Sequence, residues 1–223
     1  MKKVLYKLSA IMAFLLFSAC ASQVDEPLKL SKTVKVNRLL ILPFKDMSAI
    51  YRKANSVRCP LCGQVYLTGE VPEGAVDFLT ENLTALIKSR ISFTVILGSH
   101  TNNLLTDPTA GYIAQKSERM LLMEAGRIAD ADAVIVGYVY RFKQRVGTGY
   151  AAESPASVAL GVHMLNVSDG KILWSGKIDE TQRPLSNNLF EIGSFFKRGA
   201  KWVTSEDMAV SGLEKIIKTF PEP

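Results

Sequence analysis

SVALGVHMLNVSDGKILWSGKIDET, residues 157–181, is the stretch that decides the fold of this chain. Two runs rich in apolar and β-branched residues, 157–167 and 172–181, flank the turn sequence SDGK at 168–171. Asp-Gly supplies the positive φ that tight hairpin turns need. The segment therefore predicts two long strands that pair antiparallel.

The chain before this hairpin alternates between strand and helix patterns. Continuous apolar runs at 37–44 (NRLLILPF), 93–97 and 132–142 (DAVIVGYVYRF) predict buried strands. Apolar residues at helical spacing over 73–90 and 116–129 predict amphipathic helices between them. Strand–helix alternation implies parallel neighbours, to which the hairpin adds antiparallel strands at an edge.

Two further helices are expected at the carboxyl end, over 185–196 and 205–220. The predicted order is then β-α-β-α-β-β-β-α-α. Such an order is typical of an α/β sandwich of two or three layers, with one mixed sheet and flanking helices.

The amino terminus predicts export. A positive start, MKKV, precedes a short apolar run and then Phe17-Ser18-Ala19-Cys20, which together indicate a secretory signal at 1–19 that is cleaved. The run is too short to span a bilayer as a ~20-residue helix. A cysteine directly after Ser-Ala resembles the bacterial lipobox, in which that residue is acylated, palmitate included. We therefore expect Cys20 to be the lipidated mature terminus.

The predicted domain organisation follows from this cleavage. Residues 20–36 form the lipidated terminus and a tether without apolar periodicity, and residues 37–223 form a single periplasmic α/β domain. Ala21, rather than Asp, follows the cysteine. By resemblance to enterobacterial lipoproteins, this places the chain on the periplasmic face of the outer membrane.

Charge argues against a nucleic-acid partner. The formal net charge is +6, and removing the three lysines of residues 1–19 lowers it to +3. The remaining sequence has no run of Lys and Arg long enough to form a nucleic-acid-binding patch. Export from the cytoplasm also argues against a nucleic-acid partner. The expected partners are the membrane, other envelope proteins and further copies of the chain.

Three segments together resemble a known family. They are LLILPFKDMS at 39–48, ADAVIVGYV at 131–139 and DGKILWSGKIDET at 169–181. The chain is similar to small envelope lipoproteins with a TolB amino-terminal-like fold. These include the curli-secretion-channel lipoprotein and the lipoprotein activators of penicillin-binding proteins. The resemblance implies the architecture, and its motifs carry no catalytic residue.

The segment 45–72 is long for a loop in a compact domain, which indicates a functional or crosslinked segment. It contains Cys59-Pro60-Leu61-Cys62-Gly63. With Cys20 consumed by lipid, export favours a structural disulfide between Cys59 and Cys62. A thioredoxin-like redox pair is disfavoured, because that motif begins a helix directly after a strand.

Zinc is the alternative for the cysteine pair. A closed zinc site needs four ligands, and the sequence has no second CxxC. A Cys2His2 site with His100 and His163, the only histidines, gains no support from spacing. Two protomers could also share one zinc ion through their CxxC pairs. We therefore expect the protein to hold no resident metal or cofactor.

Other chemistry-bearing residues favour structural roles. Asp77, Glu81 and Glu124 lie at helical spacing and are interpreted as a solvated face, not as general acids or bases. No sequence typical of a serine nucleophile or a phosphate loop is present. Four aromatic residues could form a recognition strip, but packing against the C-terminal helices is the favoured interpretation: Tyr138, Tyr140, Phe142 and Tyr150. Trp174 and Trp202 are expected to pack in the core.

The functional expectation is a non-catalytic lipoprotein that acts through protein–protein contacts. Its class is an envelope assembly or secretion accessory factor, with binding surfaces at 45–72 and 141–155. Two alternatives remain open. One is an oligomeric secretion channel related to the curli exporter, and the other is an activator of a peptidoglycan synthase.

Overall fold

The computed structural model describes residues 36–90, 94–98, 117–147, 152–182 and 203–221. The predicted signal peptide, Cys20, most of the tether and the helix expected over 185–196 lie outside these ranges, as do His100, Tyr150 and Trp202.

The described elements follow the predicted order closely. The strands are β1 (Arg38–Ile41), β2 (Lys45–Asp46), β3 (Ser56–Arg58), β4 (Val65–Leu67), β5 (Thr94–Leu97), β6 (Ala133–Lys143), β7 (Val146–Gly147), β8 (Ala152–Ser154), β9 (Ser157–Asn166) and β10 (Ile172–Thr181). The helices are α1 (Met47–Tyr51), α2 (Ala75–Lys88), α3 (Glu118–Ile128) and α4 (Ser205–Ile217).

The main sheet is mixed, as the sequence predicts. Its strand order is β10-β9-β6-β1-β5, and β2 pairs with β6 beside β1. β1 lies parallel to both β5 and β6, whereas β6, β9 and β10 pair antiparallel in succession. The turn between β9 and β10 contains Gly170 at a φ of 70°, as the Asp-Gly sequence requires. The predicted hairpin and its place at one edge are confirmed.

Two apolar clusters cover the two faces of this sheet. On one face, α2 and α4 pack on β1, β6, β9 and β10 through side chains such as Leu83 and Leu213. On the other face, α3 packs through Leu122, and the strands β3 and β4 contribute Val57 and Tyr66. The result is a sandwich of three layers.

Local sequence fixes where the helices begin. The Thr204 side chain accepts from the Asp207 amide at 3.1 Å while the Asp207 carboxylate accepts from the Thr204 amide at 3.2 Å, which forms a capping box at the start of α4. Ser117 caps α3 with its hydroxyl. The predicted helices at 73–90 and 116–129 are confirmed with slightly shorter bounds.

The segment 45–72 is more ordered than the sequence indicates, so the expectation of a loop is wrong. It contains β2, α1 and an antiparallel hairpin of β3 and β4, called the cysteine hairpin below (residues 56–67). Strands of two or three residues leave too short an alternation to be recognised from a pattern. β2 forms because β6 runs on past β1 and offers unpaired backbone groups, whereas β3 and β4 pair with each other.

The packing of the aromatic residues also corrects an expectation. Phe142 lies in the cluster with α2 and α4, as predicted. Tyr138 and Tyr140 lie on the opposite face, beneath the cysteine hairpin. The register of β6 against β9 shifts between Val139 and Arg141. This irregularity turns Phe142 to the face opposite Tyr138 and Tyr140, although regular alternation would place all three on one face. Trp174 is in the core, where it packs on Phe220 at 4.8 Å between ring centroids.

Among the described residues, none of the helices is both long enough and apolar enough to span a bilayer.

Truncating a core leucine should destabilise the domain. Leu83 of α2 has no exposed surface, and we expect Leu83→Ala to lower the free energy of unfolding by about 2–5 kcal/mol through lost burial and a cavity. Leu97→Ala is the matched control, because that side chain is 50% exposed and should cost well under half as much. Urea unfolding of both variants measures the difference, and equal costs would contradict the assigned core.

Candidate functional site

The CPLCG sequence forms the turn of the cysteine hairpin. The Cys59 amide donates to the Gln64 carbonyl at 2.7 Å, and the Gly63 amide donates to the Cys59 carbonyl at 3.0 Å. Gly63 has a φ of 75°, which a residue with a Cβ rarely adopts. The turn therefore brings both cysteine side chains to one end of the hairpin.

The cysteine hairpin packs on the sheet through one of its faces. Tyr66 stacks on Tyr140 of β6 with 4.1 Å between centroids and 11° between the ring planes. Val57, Cys59 and Leu61 are also buried on this side. Neighbouring side chains in β4, such as Val65 and Leu67, point to the opposite side and are exposed.

His163 of β9 lies directly beneath the turn. The Cys59 Sγ is 3.2 Å from the His163 Nε2. One ligand atom from each of Cys59, Cys62 and His163 lies within 4.8 Å of the other two. Cys59 is 3% exposed and His163 is 1% exposed, whereas Cys62 is at the surface. We call these three residues the Cys–Cys–His cluster.

The two cysteines influence each other's ionisation. The Cys62 thiol, which donates to the Cys59 sulfur, lowers the pKa of Cys59 to about 3 against the opposing effect of burial. His163 acts in the same direction. The same hydrogen bond, together with partial desolvation, raises the pKa of Cys62 above its ordinary value. The hydrogen bond between the two sulfurs therefore favours the thiolate on Cys59 and the thiol on Cys62.

Polar atoms surround this cluster in an otherwise apolar layer. Among the described residues, the Tyr140 hydroxyl and the His163 Nδ1 are buried without a hydrogen-bond partner. Burial is the main cause of the raised pKa of Tyr66 and of Tyr140, and negative charge on the cysteine pair adds to it. Both phenols therefore stay neutral beside the Cys59 thiolate.

Arg141 fastens the end of the cysteine hairpin to the sheet. Its Nη1 donates to the Leu67 carbonyl at 2.8 Å, its Nε donates to the Ser157 hydroxyl at 2.6 Å, and its Nη2 donates to the Asp179 carboxylate at 2.6 Å. The guanidinium thus joins β4 to both β9 and β10. These three hydrogen bonds point in different directions, so they require the planar guanidinium group of an arginine, which carries several N–H donors.

The other residues singled out from the sequence fall in three groups. The exposed acidic residues are in the solvated positions expected of them: Asp77, Glu81 and Glu124. Cys20 lies outside the described residues, so its lipidation stays a prediction. Cys59 and Cys62 are free thiols in the structure, and their disulfide also stays a prediction.

Sequence reasoning did not select His163 as the partner of Cys59. The two residues are 104 positions apart, and nothing in their spacing indicates contact. The one usable signal is a histidine at a central position of an otherwise apolar strand, where burial demands a polar partner.

Comparison with known proteins gives a likeness of fold. No family model matches the chain, and no curated protein matches it. The PelC dodecamer from Paraburkholderia phytofirmans is similar in structure, with a TM-score of 0.51 and 10% identity over 89% of this chain and 96% of that chain. The sandwich fold that the family resemblance predicts is confirmed by this likeness.

Two further solved structures are similar over less of the chain. Lipoprotein GNA1162 from Neisseria meningitidis has a TM-score of 0.40 and 14% identity over 73% of this chain and 97% of that chain. The C-terminal domain of LpoB from Escherichia coli has a TM-score of 0.37 and 16% identity, and the match covers 68% of this chain and 88% of that chain.

Removing the Arg141 fork should loosen the cysteine hairpin. Arg141→Met keeps the aliphatic stem and loses three hydrogen bonds, so we expect a loss of about 1–3 kcal/mol in the free energy of unfolding. Amide hydrogen exchange should also rise across β4. Arg58→Met, at an exposed position of the same hairpin, is the control. Unchanged exchange in β4 would show that Arg141 does not anchor it.

The thiolate of Cys59 should be visible by ultraviolet absorbance. In reduced, metal-free protein we expect thiolate absorbance to persist below neutral pH and to disappear as the pH falls towards the lowered pKa of about 3. Cys62→Ala removes the donor, so the pKa of Cys59 should rise towards its ordinary value and most absorbance at pH 7 should vanish. Gln64→Ala should titrate like the wild type. A wild-type midpoint near 9.0 would contradict the shared proton.

Proposed function

We propose that this chain is a lipid-anchored protein on the periplasmic face of the outer membrane, which acts without catalysis as an envelope assembly or secretion accessory factor. The signal at 1–19 and Cys20 support the location, and the sequence resemblance of residues 39–48, 131–139 and 169–181 to small envelope lipoproteins supports the class. The sequence contains no catalytic motif that would favour an enzyme.

The observation that carries the proposal is an exposed apolar surface on the segment 45–72. Within the described residues, eight large apolar side chains are exposed, and this segment holds four of them: Ile50, Tyr51, Val65 and Leu67. Single exposed apolar residues are ordinary, whereas a group on two neighbouring elements, here α1 and β4, indicates a binding surface.

Hydrogen bonds join the two parts of this surface. The Thr68 hydroxyl donates to the Arg52 carbonyl at 2.7 Å, and the Ala54 amide donates to the Thr68 carbonyl at 3.1 Å. These bonds place the end of α1 beside the end of β4. We call the four exposed side chains the hairpin surface. Its rigid support is what a preformed binding site requires.

A second function has one finding in its favour. PelC, which is similar in fold, is a dodecamer. An oligomer of this chain, in the form of a secretion channel, is therefore the alternative candidate. The other alternative, a function as activator of a peptidoglycan synthase, is supported by the sequence resemblance alone.

Crosslinking in cells tests the proposal. The lipidated full chain is crosslinked in the envelope, purified in detergent and analysed by mass spectrometry. We expect Val65→Ser with Leu67→Ser to reduce recovery of a heterologous envelope partner about tenfold or more, because burying such side chains is worth about 1.5–3 kcal/mol each. Leu97→Ser with Ile128→Ser is the control, since these two residues are exposed to a similar extent but lie outside the hairpin surface.

The outcomes separate the candidates. A synthase or secretion component recovered with the wild type and the control, but not with the hairpin variant, supports the accessory function. Equal recovery with both double variants removes the hairpin surface from the proposal. Crosslinks between copies only, in a closed ring, would overturn the accessory function and favour the channel.

A further inference from the structure

We propose that Cys59, Cys62 and His163 form a zinc site, with the two sulfurs and Nε2 as protein ligands and a water in the fourth position. The site is independent of the proposed function. The sequence led us to expect no bound metal and a disulfide between Cys59 and Cys62. The proposed site replaces both expectations.

The spacing of the donor atoms fits a tetrahedral ion. With Zn–S of about 2.3 Å and Zn–N of about 2.0–2.1 Å, neighbouring ligand atoms in a tetrahedron lie about 3.5–3.8 Å apart. The Cys59 Sγ and His163 Nε2 are 3.2 Å apart, and the whole cluster lies within 4.8 Å. Side-chain adjustments of up to about 1 Å would bring all three separations into the tetrahedral range.

The missing side chain at Gly161 lets the His163 imidazole and the Tyr66 hydroxyl lie close to the backbone of β9. A Cβ added to Gly161 would lie 3.3 Å from the His163 Nε2 and 3.2 Å from the Tyr66 hydroxyl. Gly161 and His163 are two residues apart on β9, so they share one face of the sheet. A larger residue at 161 would occupy the space beside the proposed ligand atom.

A buried tyrosine hydroxyl lies beside the proposed sulfur ligand Cys59. Among the described residues, the Tyr140 hydroxyl is buried with no hydrogen-bond partner. Such a group costs free energy unless it is satisfied. A zinc-bound thiolate keeps lone pairs that can accept from a tyrosine hydroxyl, which makes Tyr140 a supporting residue of the site.

The donor set favours zinc. Thiolate and imidazole ligands together suit Zn²⁺, whereas Mg²⁺ and Ca²⁺ prefer oxygen. Cys62 is exposed, so the fourth position opens to solvent and a water can fill it. The protein ligands come from the hairpin turn and from β9, so the ion would fasten the cysteine hairpin to the sheet.

Zinc binding by the reduced full chain tests the site. The lipidated protein is purified in detergent, reduced, incubated with ZnCl₂, separated from free metal and analysed for zinc per chain. We expect one zinc per monomer and a rise of about 5–15 °C in the unfolding temperature when zinc is far above its dissociation constant. Cobalt in place of zinc should give thiolate-to-cobalt charge-transfer absorbance.

Variants identify the ligands. Cys62→Ser changes an exposed residue and should fold normally, but weaken zinc binding by about 100-fold or more. His163→Gln should weaken it similarly and should leave the cobalt–thiolate absorbance weaker but present. Gln64→Ala, in the same exposed turn, is the matched control and should keep full binding.

Several results would overturn the proposal. They are a reduced protein that takes up no zinc, equal zinc affinity in the wild type and in Cys62→Ser, and uptake of copper(I) but not zinc. A Cys59–Cys62 disulfide in protein isolated from cells without reductant, found by thiol counting and mass spectrometry, would restore the disulfide instead. One zinc shared by two chains would overturn the water as fourth ligand.

Discussion

The burial of β6 on both faces is the constraint on which the rest of the structure depends. This strand lies between β1 and β9, and every residue from Ala133 to Tyr140 is buried. A strand that is apolar on both faces must be covered on both, which makes a two-layer structure insufficient. Helices α2 and α4 cover one face. The other face is covered by α3 and by the cysteine hairpin, which extends the layer over Tyr138 and Tyr140.

This cover explains why a polar cluster lies inside an apolar layer. His163 lies on the face that the cysteine hairpin must shield, so its imidazole is removed from water. Burying an imidazole without partners is costly, and Cys59 supplies the contact. Purely apolar residues in the cysteine hairpin would cover the strand and bury less polar surface than the cysteines do. The zinc ion proposed above would give the two cysteines and His163 a common partner.

The two proposed sites occupy opposite faces of the same short hairpin. Tyr66 and Cys59 point towards the sheet, while Val65 and Leu67 point towards solvent because side chains alternate along a strand. A strand of three residues has little stability of its own. Arg141 holds the hairpin at one end and the Cys–Cys–His cluster holds it at the other. Order at the inner face would therefore determine how rigidly the outer face is presented to a partner.

The sequence by itself determined the main strands of the mixed sheet and the order of the elements along the chain. Long apolar runs, helical spacing and the Asp-Gly turn at 169–170 are local signals, so they predict β1, β6, β9 and β10 and the helices between them. The cysteine hairpin and the side of the sheet on which Tyr138 packs were decided by tertiary structure, because β3 and β4 are too short to leave a pattern. The contact of Cys59 with His163 needed the fold as well. Its two residues are distant in the chain, and only the pairing of β6 with β9 and the packing of the cysteine hairpin on their face bring them together.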